Sequence, residues 1–182
     1  MKTWWQSFNI YLLLVAILCM SGCSSTDPNK SKKPMATIRL HLEVNQDGTG
    51  GNGPVEVTRS KFRVNVDKEP FLVEGDVARA AVIESVGGFA IQINFNSEAL
   101  FKLDMMTSSH KGKHIAILCQ YPKGKTTPKS FSRWVAAPMI TKRIANGIFI
   151  FTPDCTREEA DRLVLGLNNV ADFARKAESD HF

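Results

Sequence analysis

The chain predicts an α+β domain, a largely antiparallel sheet carrying two helices on one face. Three observations carry the prediction. Segments of period two recur between turn signals from Thr37 to Thr152. Two segments of helical period lie between Ser97 and Gly112 and after Thr156. The second of them opens with Thr156 and Glu159 at capping-box spacing.

Thr37–Val44 reads TIRLHLEV, with Ile38, Leu40, Leu42 and Val44 on one face and Thr37, Arg39, His41 and Glu43 on the other. That contrast predicts a half-buried strand. Asn45–Pro54 holds four glycines and predicts a mobile loop. Phe62, Val64 and Val66 alternate with polar residues and predict a second strand. Ala80–Ser85 and Phe89–Phe95 flank Gly87-Gly88, a hairpin signal. Ser97 is the expected cap of the first helix, whose apolar positions are Leu100, Leu103 and Met106. His114–Tyr121 is apolar on both faces and so predicts a central strand. Phe131–Ala137 and Gly147–Thr152 predict two more strands.

The last helix presents Ala160, Leu163, Val164, Leu167, Val170, Ala171 and Ala174 as a stripe suited to packing on a sheet. Two cysteines fall in the domain. Cys119 shares a face with Ile115 and Ile117, and Cys155 precedes the last helix. A cysteine facing the core of a strand behaves as a small buried hydrophobe, so two free thiols are expected. A disulfide is the minority alternative, open to an exported protein whose cysteine Cα atoms come within about 7 Å.

The N-terminus has another character. Lys2 is the only charged residue before Asp27, and Ile10–Leu18 is an uninterrupted apolar run. A basic start, a short apolar run and small residues make an export signal, too short for the ~20 residues that span a bilayer. Met20-Ser21-Gly22-Cys23 resembles the lipobox of bacterial lipoproteins, with Met where Leu is usual. The resemblance implies cleavage before Cys23 and a diacylglyceryl group on its sulfur. The alternative is an ordinary cleaved signal with an incidental cysteine. The expected organisation is a signal peptide over 1–22, a lipidated Cys23 with a flexible linker over 23–36, and one domain over 37–178. Ser24, where inner-membrane lipoproteins of the common sorting system carry Asp, favours the periplasmic leaflet of the outer membrane and leaves the inner membrane open.

Charge and motifs exclude most chemistries. The net charge of +5 falls to +2 once Lys2, Lys30, Lys32, Lys33 and Asp27 are set aside, which is no nucleic-acid footprint. Gly124-Lys125-Thr126 ends like a phosphate loop, but Cys119 stands where its first glycine belongs, so no nucleotide is expected. His110 and His114 have metal-ligand spacing on a helix, but Gly112 breaks that helix and no third ligand is evident. Ser108 and Lys111 lack a companion motif. Asp154, Glu158, Glu159 and Asp161 crowd a helix start, as dipole complementation requires. No enzyme, metal or cofactor is expected. The one cluster with binding character is Arg133, Trp134, Pro138 and Met139. Its alternative reading is Trp134 as core packing, the commoner role of an aromatic residue in a strand.

Residues 69–168 carry a resemblance. Glu69-Pro70-Phe71-Leu72 comes before the hairpin. Ala90–Ser97 leads into a short helix, then Thr107 and Gly112-Lys113. Ala136-Ala137-Pro138 ends a strand. Gly147, Phe151-Thr152 and Glu158-Glu159-Ala160 enter the last helix. In this order they resemble the head subdomain in the first periplasmic region of SecD, the accessory subunit of the bacterial protein translocon. The resemblance implies a non-catalytic, periplasm-facing surface that holds polypeptide, here on a lipid anchor. SecD does proton-coupled work through membrane helices and intramembrane acidic residues, and no apolar run after the signal could supply them. The alternative is a structural or assembly lipoprotein that binds one folded envelope partner. Residues 37–66 lie outside the resemblance.

Lipidation has a direct test. Labelled palmitate is expected to enter the wild type and to be absent from Cys23→Ser. A mature N-terminus sequenced at any other residue would refute it.

Overall fold

The computed structural model describes residues 33–45, 51–122 and 130–179. The signal peptide, Cys23 and the Gly124-Lys125-Thr126 turn lie outside the described residues. Within them the strands are β1 (Thr37–Leu42), β2 (Asn52–Glu56), β3 (Arg63–Asp67), β4 (Leu72–Val73), β5 (Val77–Ser85), β6 (Gly88–Phe95), β7 (Ile115–Pro122), β8 (Ser130–Ala136) and β9 (Ile148–Phe151). The helices are α1 (Ser97–Ser109) and α2 (Arg157–Ser179), and Glu74–Asp76 form a single 3-10 turn.

The fold is α+β with antiparallel pairing at every ladder. The expected single sheet is divided. One sheet has the order β4-β1-β7-β8, a second the order β5-β6-β9, and β2-β3 stand as a separate hairpin. Period two says which residues of a strand face inward. It does not say which strand lies alongside. β7 is central, as its two apolar faces require, between β1 and β8.

The main core is shared by both sheets and both helices. Ile38 and Leu40 of β1, Ile91 and Ile93 of β6, Ile117 of β7, Leu103 of α1, and Leu163 and Leu167 of α2 are all buried in it. α2 lies against β5, β7 and β1. Cys119 and Cys155 are buried there as free thiols. A β-bulge in β8 turns Val135 and Ala136, neighbours in sequence, both into this core.

A second, smaller core overturns the solvent-facing assignment of His41. The β2-β3 hairpin lies over the other face of the four-stranded sheet. Val64 and Val66 pack there on Ala116, with Val55, Trp134 and Ala137 around them. His41 is therefore buried. Its Nδ1 lies 2.8 Å from the Asp67 carbonyl oxygen, and its ring meets Trp134 edge-on at 5.1 Å. Burial, the dominant influence, holds its imidazole below the usual range. The expected loop over Asn45–Pro54 is likewise shortened, because Asn52–Pro54 pair with Asn65–Asp67. Pro54 is tolerated in a two-stranded ribbon, where each strand has an unpaired side.

The cap of α1 also differs by one residue. Asn96 keeps extended backbone and its side chain accepts the Ala99 N–H at 2.9 Å, so Ser97 is the first helical residue. The α2 cap is as expected. Thr156 Oγ1 accepts the Glu159 N–H at 3.3 Å, and the Glu159 carboxylate accepts the Thr156 N–H at 2.8 Å.

α2 contains one glycine, Gly166, and it is there for close approach. A Cβ at that position would stand 2.5 Å from the Ala36 Cβ and 2.7 Å from the Ala36 backbone nitrogen. Gly166 thus lets the chain cross α2 as it enters β1. In an unobstructed helix, Gly→Ala stabilises by about 0.8–1 kcal/mol. Here the sign reverses, and Gly166→Ala is expected to destabilise by about 1–3 kcal/mol through overpacking. Leu163→Ala, which only empties space, should cost about 2–5 kcal/mol. Urea unfolding of the two variants beside the wild type checks both values.

Candidate functional site

Arg133 and Trp134 are adjacent on β8, and the alternation of a strand sends them to opposite faces of the sheet. Arg133 turns to the α2 side. Its Nη2 donates to Glu159 Oε2 at 2.7 Å, and its guanidinium lies 5.9 Å from the ring centres of both Tyr121 and Phe131. Trp134 turns to the second core. Pro138 and Met139 follow at the end of the strand. The Pro138 carbonyl accepts the Ile115 N–H, and Met139 is 54% exposed. The four residues therefore do not converge on one point. Pro138 and Met139 share an open surface, Arg133 is held in an ion pair, and Trp134 is half-buried in packing.

The acidic residues before α2 do more than complement its dipole. Burial disfavours the charge on Glu159, but the Thr156 N–H and the Arg133 guanidinium outweigh it and hold the carboxyl below its usual range. Arg59 adds a contact at 3.6 Å. Asp154 Oδ2 accepts the N–H groups of Arg59 and Ser60 at 2.6 and 2.7 Å, and the Asp154 N–H donates to the Val135 carbonyl. The turn after β2 is thus fastened to the start of α2. Tyr121, against Arg133, has its phenol pushed up to about 12, mainly by burial. The two histidines with ligand spacing are held apart. His110 Nδ1 lies 3.1 Å from the Met106 carbonyl at the end of α1, and His114 Nδ1 lies 2.7 Å from Glu43 Oε2.

Two clefts meet at Pro138. The larger, about 510 Å³, lies between the turn after β2 and the loop before α2, with Val57, Phe62, Val135 and Pro153 in its walls. The smaller, about 130 Å³, lies between β9 and the segment after β8, lined by Phe149, Ile150, Met139 and Lys142 among others. Met139, Ile150, Ile148 and Phe62 are all more than a third exposed around them.

β9 forms one edge of its sheet, and the two edges of that sheet are treated differently. On β5, Asn168 of α2 accepts the Ala80 N–H at 2.8 Å and donates to the Ala80 carbonyl at 3.0 Å, so a side-chain amide stands in for a neighbouring strand. Among the described residues β9 has no such side-chain cover. Phe95 donates to Gly147, so alternation turns the N–H and C=O of Phe149 and Phe151 to β6 and those of Ile148 and Ile150 outward. Asn146 Oδ1 accepts the Ile148 N–H, and among the described residues the backbone of Ile150 has no partner. Ile148 and Ile150 project their side chains, 38% and 51% exposed, from the face opposite Phe149 and Phe151. Gln92 and Asn94 of β6, which pair with them, and Ala81 of β5 continue that face. The sequence predicts a strand over Gly147–Thr152. That it lies at an edge was not visible.

A model of the SecDF P1 head subdomain matches residues 54–171. The chain belongs to the SecDF P1 head subdomain family. The matched span extends beyond the motif-bearing residues 69–168 and takes in β3 of the hairpin. Two solved structures of SecDF share the fold. One, of the membrane component SecDF described as enhancing protein export, aligns with a TM-score of 0.51 at 18% identity over 75% of this chain and 63% of that one. The other, SecDF in a super-membrane-facing form, aligns with a TM-score of 0.52 at 18% identity over 75% of this chain and 19% of that one. The chain thus spans less than two thirds of either relative. No curated protein sequence matches it. Among the described residues no helix is long and apolar enough to cross a membrane.

The Glu159 geometry sets a pH dependence. A carboxyl with a depressed folded pKa stabilises fully above its unfolded value, near 4.3, and that stability is lost as pH falls through the folded value. Glu159→Gln is expected to destabilise by about 1.5–3 kcal/mol at pH 7, the worth of a hydrogen bond to a charged group. The gap between wild type and variant should narrow below about pH 4, measured as urea midpoints across a pH series.

Proposed function

We propose that this SecDF-head-family protein is a non-catalytic module, anchored by lipid on Cys23 and facing the periplasm, that holds extended segments of exported polypeptide. Its organisation is a signal over 1–22, a tether over 23–36 and the head domain from 37 to 178. Ser24 favours the outer membrane. The observation that carries the binding reading is the uncovered β9 edge, where the unpartnered backbone of Ile150 adjoins the exposed Ile148 and Ile150 side chains. An extended peptide can add to such an edge through main-chain hydrogen bonds, with alternate side chains packing on the adjoining face. Backbone pairing is sequence-tolerant, which suits a partner that recognises many clients. Pro138 and Met139 border the same cleft as Ile150, and of the four candidates these two stand where a bound segment would pass. Membership of a family whose solved relative is described as enhancing protein export supports the same reading.

One observation favours the second reading, an assembly lipoprotein with a single folded partner. Phe101 and Met105 stand one turn apart on α1, 68% and 49% exposed, and would suit a rigid docking contact.

Crosslinking distinguishes the two. A photoreactive residue at position 150 should capture a broad spread of exported chains, and one at position 101 should not. Ile150→Pro removes the outward N–H and is expected to abolish that capture, read from a reporter at position 148, while cooperative melting persists. A single discrete adduct at 101, with none at 150, would establish the assembly reading instead.

A further inference from the structure

We infer that one face of α2 is a membrane-contact surface, on which the domain rests against an anionic bilayer. The inference builds on the lipid anchor proposed above. Leu165, Asn169 and Phe173 follow each other at i, i+4 spacing and so form one row along the helix. Leu165 is 53% exposed and Phe173 66%. Large apolar groups on a helix surface normally turn inward, as Leu163 and Leu167 do on the buried side of the same helix.

The position of the row relative to the tether identifies its partner. Asn169, the middle residue, donates from Nδ2 to the Pro34 carbonyl at 2.7 Å. Gly166, one turn before Val170, lets Met35 and Ala36 lie directly on the helix. The chain coming from Cys23 is therefore fastened at this face, and Met35, 49% exposed, adds its side chain beside it. Nine residues, 24–32, separate Cys23 from the described chain. Fully extended, that length reaches about 35 Å from Cys23 to Lys33, close to the length of α2 itself. A tether this short holds the face at millimolar effective concentration to the bilayer, so a weak surface contact suffices.

Charge agrees with an anionic partner. Of the carboxylates bordering the row, Asp172 pairs with Arg175, and Asp161 lies 3.8 Å from Arg157, which also pairs with Glu84. Lys33 and Lys176 flank the apolar pair and have no ion-pair partner among the described residues. Glu158 is a further exposed acid on the same side, at the N-terminal end of α2 and two turns from Leu165. Apolar side chains flanked by lysine suit an interfacial contact, with the apolar groups in the acyl boundary and the ammonium groups at the phosphates.

The test uses the full chain in a Gram-negative host grown on radiolabelled phosphate. A photoreactive phenylalanine analogue is placed at position 165, 173 or 101, and intact cells are irradiated. Phospholipid adducts are expected several-fold more abundant at 165 and 173 than at 101, and to fall several-fold in Lys33→Glu/Lys176→Glu. Adducts no more abundant than at 101, or adducts at 173 that are protein rather than lipid, would overturn the inference. Palmitate labelling of the same cells reads the anchor separately. Palmitate incorporated without lipid adducts refutes the surface alone. Adducts without palmitate refute the anchor and leave the surface established.

Discussion

The carboxylate of Glu159 is shared by segments from distant parts of the chain, and the arrangement of the domain depends on that sharing. It closes the cap of α2 through Thr156, receives Arg133 from β8 and draws in Arg59 from the turn after β2. A buried carboxylate is costly unless such donors surround it, and removing a partner leaves a charge in a dry place. The ion pair therefore contributes less to net stability than to register. It ties the start of α2 to β8, and Asp154 extends the same fastening to the hairpin turn. Arg133, flanked by Tyr121 and Phe131, is structural for the same reason.

Around that fixed centre the fold closes one sheet edge and leaves another open. Exposed edges invite unwanted pairing, and proteins usually blunt them. Here Asn168 does so on β5 with a single amide, which is possible because α2 runs alongside that strand. β9 is four residues long and bears two exposed isoleucines. Its shortness limits self-association. The same helix that blunts β5 lets Met35 and Ala36 cross at Gly166, so the chain entering β1 is fastened to the helix that covers the sheet.

Much of the fold was legible along the chain. The hairpin at Gly87-Gly88, the central strand at 115–122 and the capped last helix follow from periods of two and 3.6 and from turn chemistry, all of which act over a few residues. The departures are long-range. His41 reads as a solvent-facing residue because its neighbours alternate correctly, and only the β2-β3 hairpin, arriving from later in the chain, buries it. Asn96 displaces Ser97 as the cap because either residue type serves and the backbone angles decide. The candidate cluster was legible in part. Pro138 and Met139 do lie on an open surface, whereas Arg133 and Trp134, neighbours in sequence, are separated by the alternation of the strand and by partners from α2 and β3.

The sequence by itself determined the class of the fold, the positions of most elements, the residues that resemble the SecD head and the expectation of an anchor at Cys23. Those properties reside in local patterns of side-chain type. The tertiary structure alone decided the division into two sheets, the second core, the edge position of β9 and the crossing of Met35 and Ala36 over α2. Each of these depends on which strand or helix lies beside which, and period two or 3.6 is blind to that choice. Ile150 illustrates the difference. Its place in a strand is legible in the sequence, but its unpaired backbone follows from having β6 on one side and, among the described residues, no strand on the other.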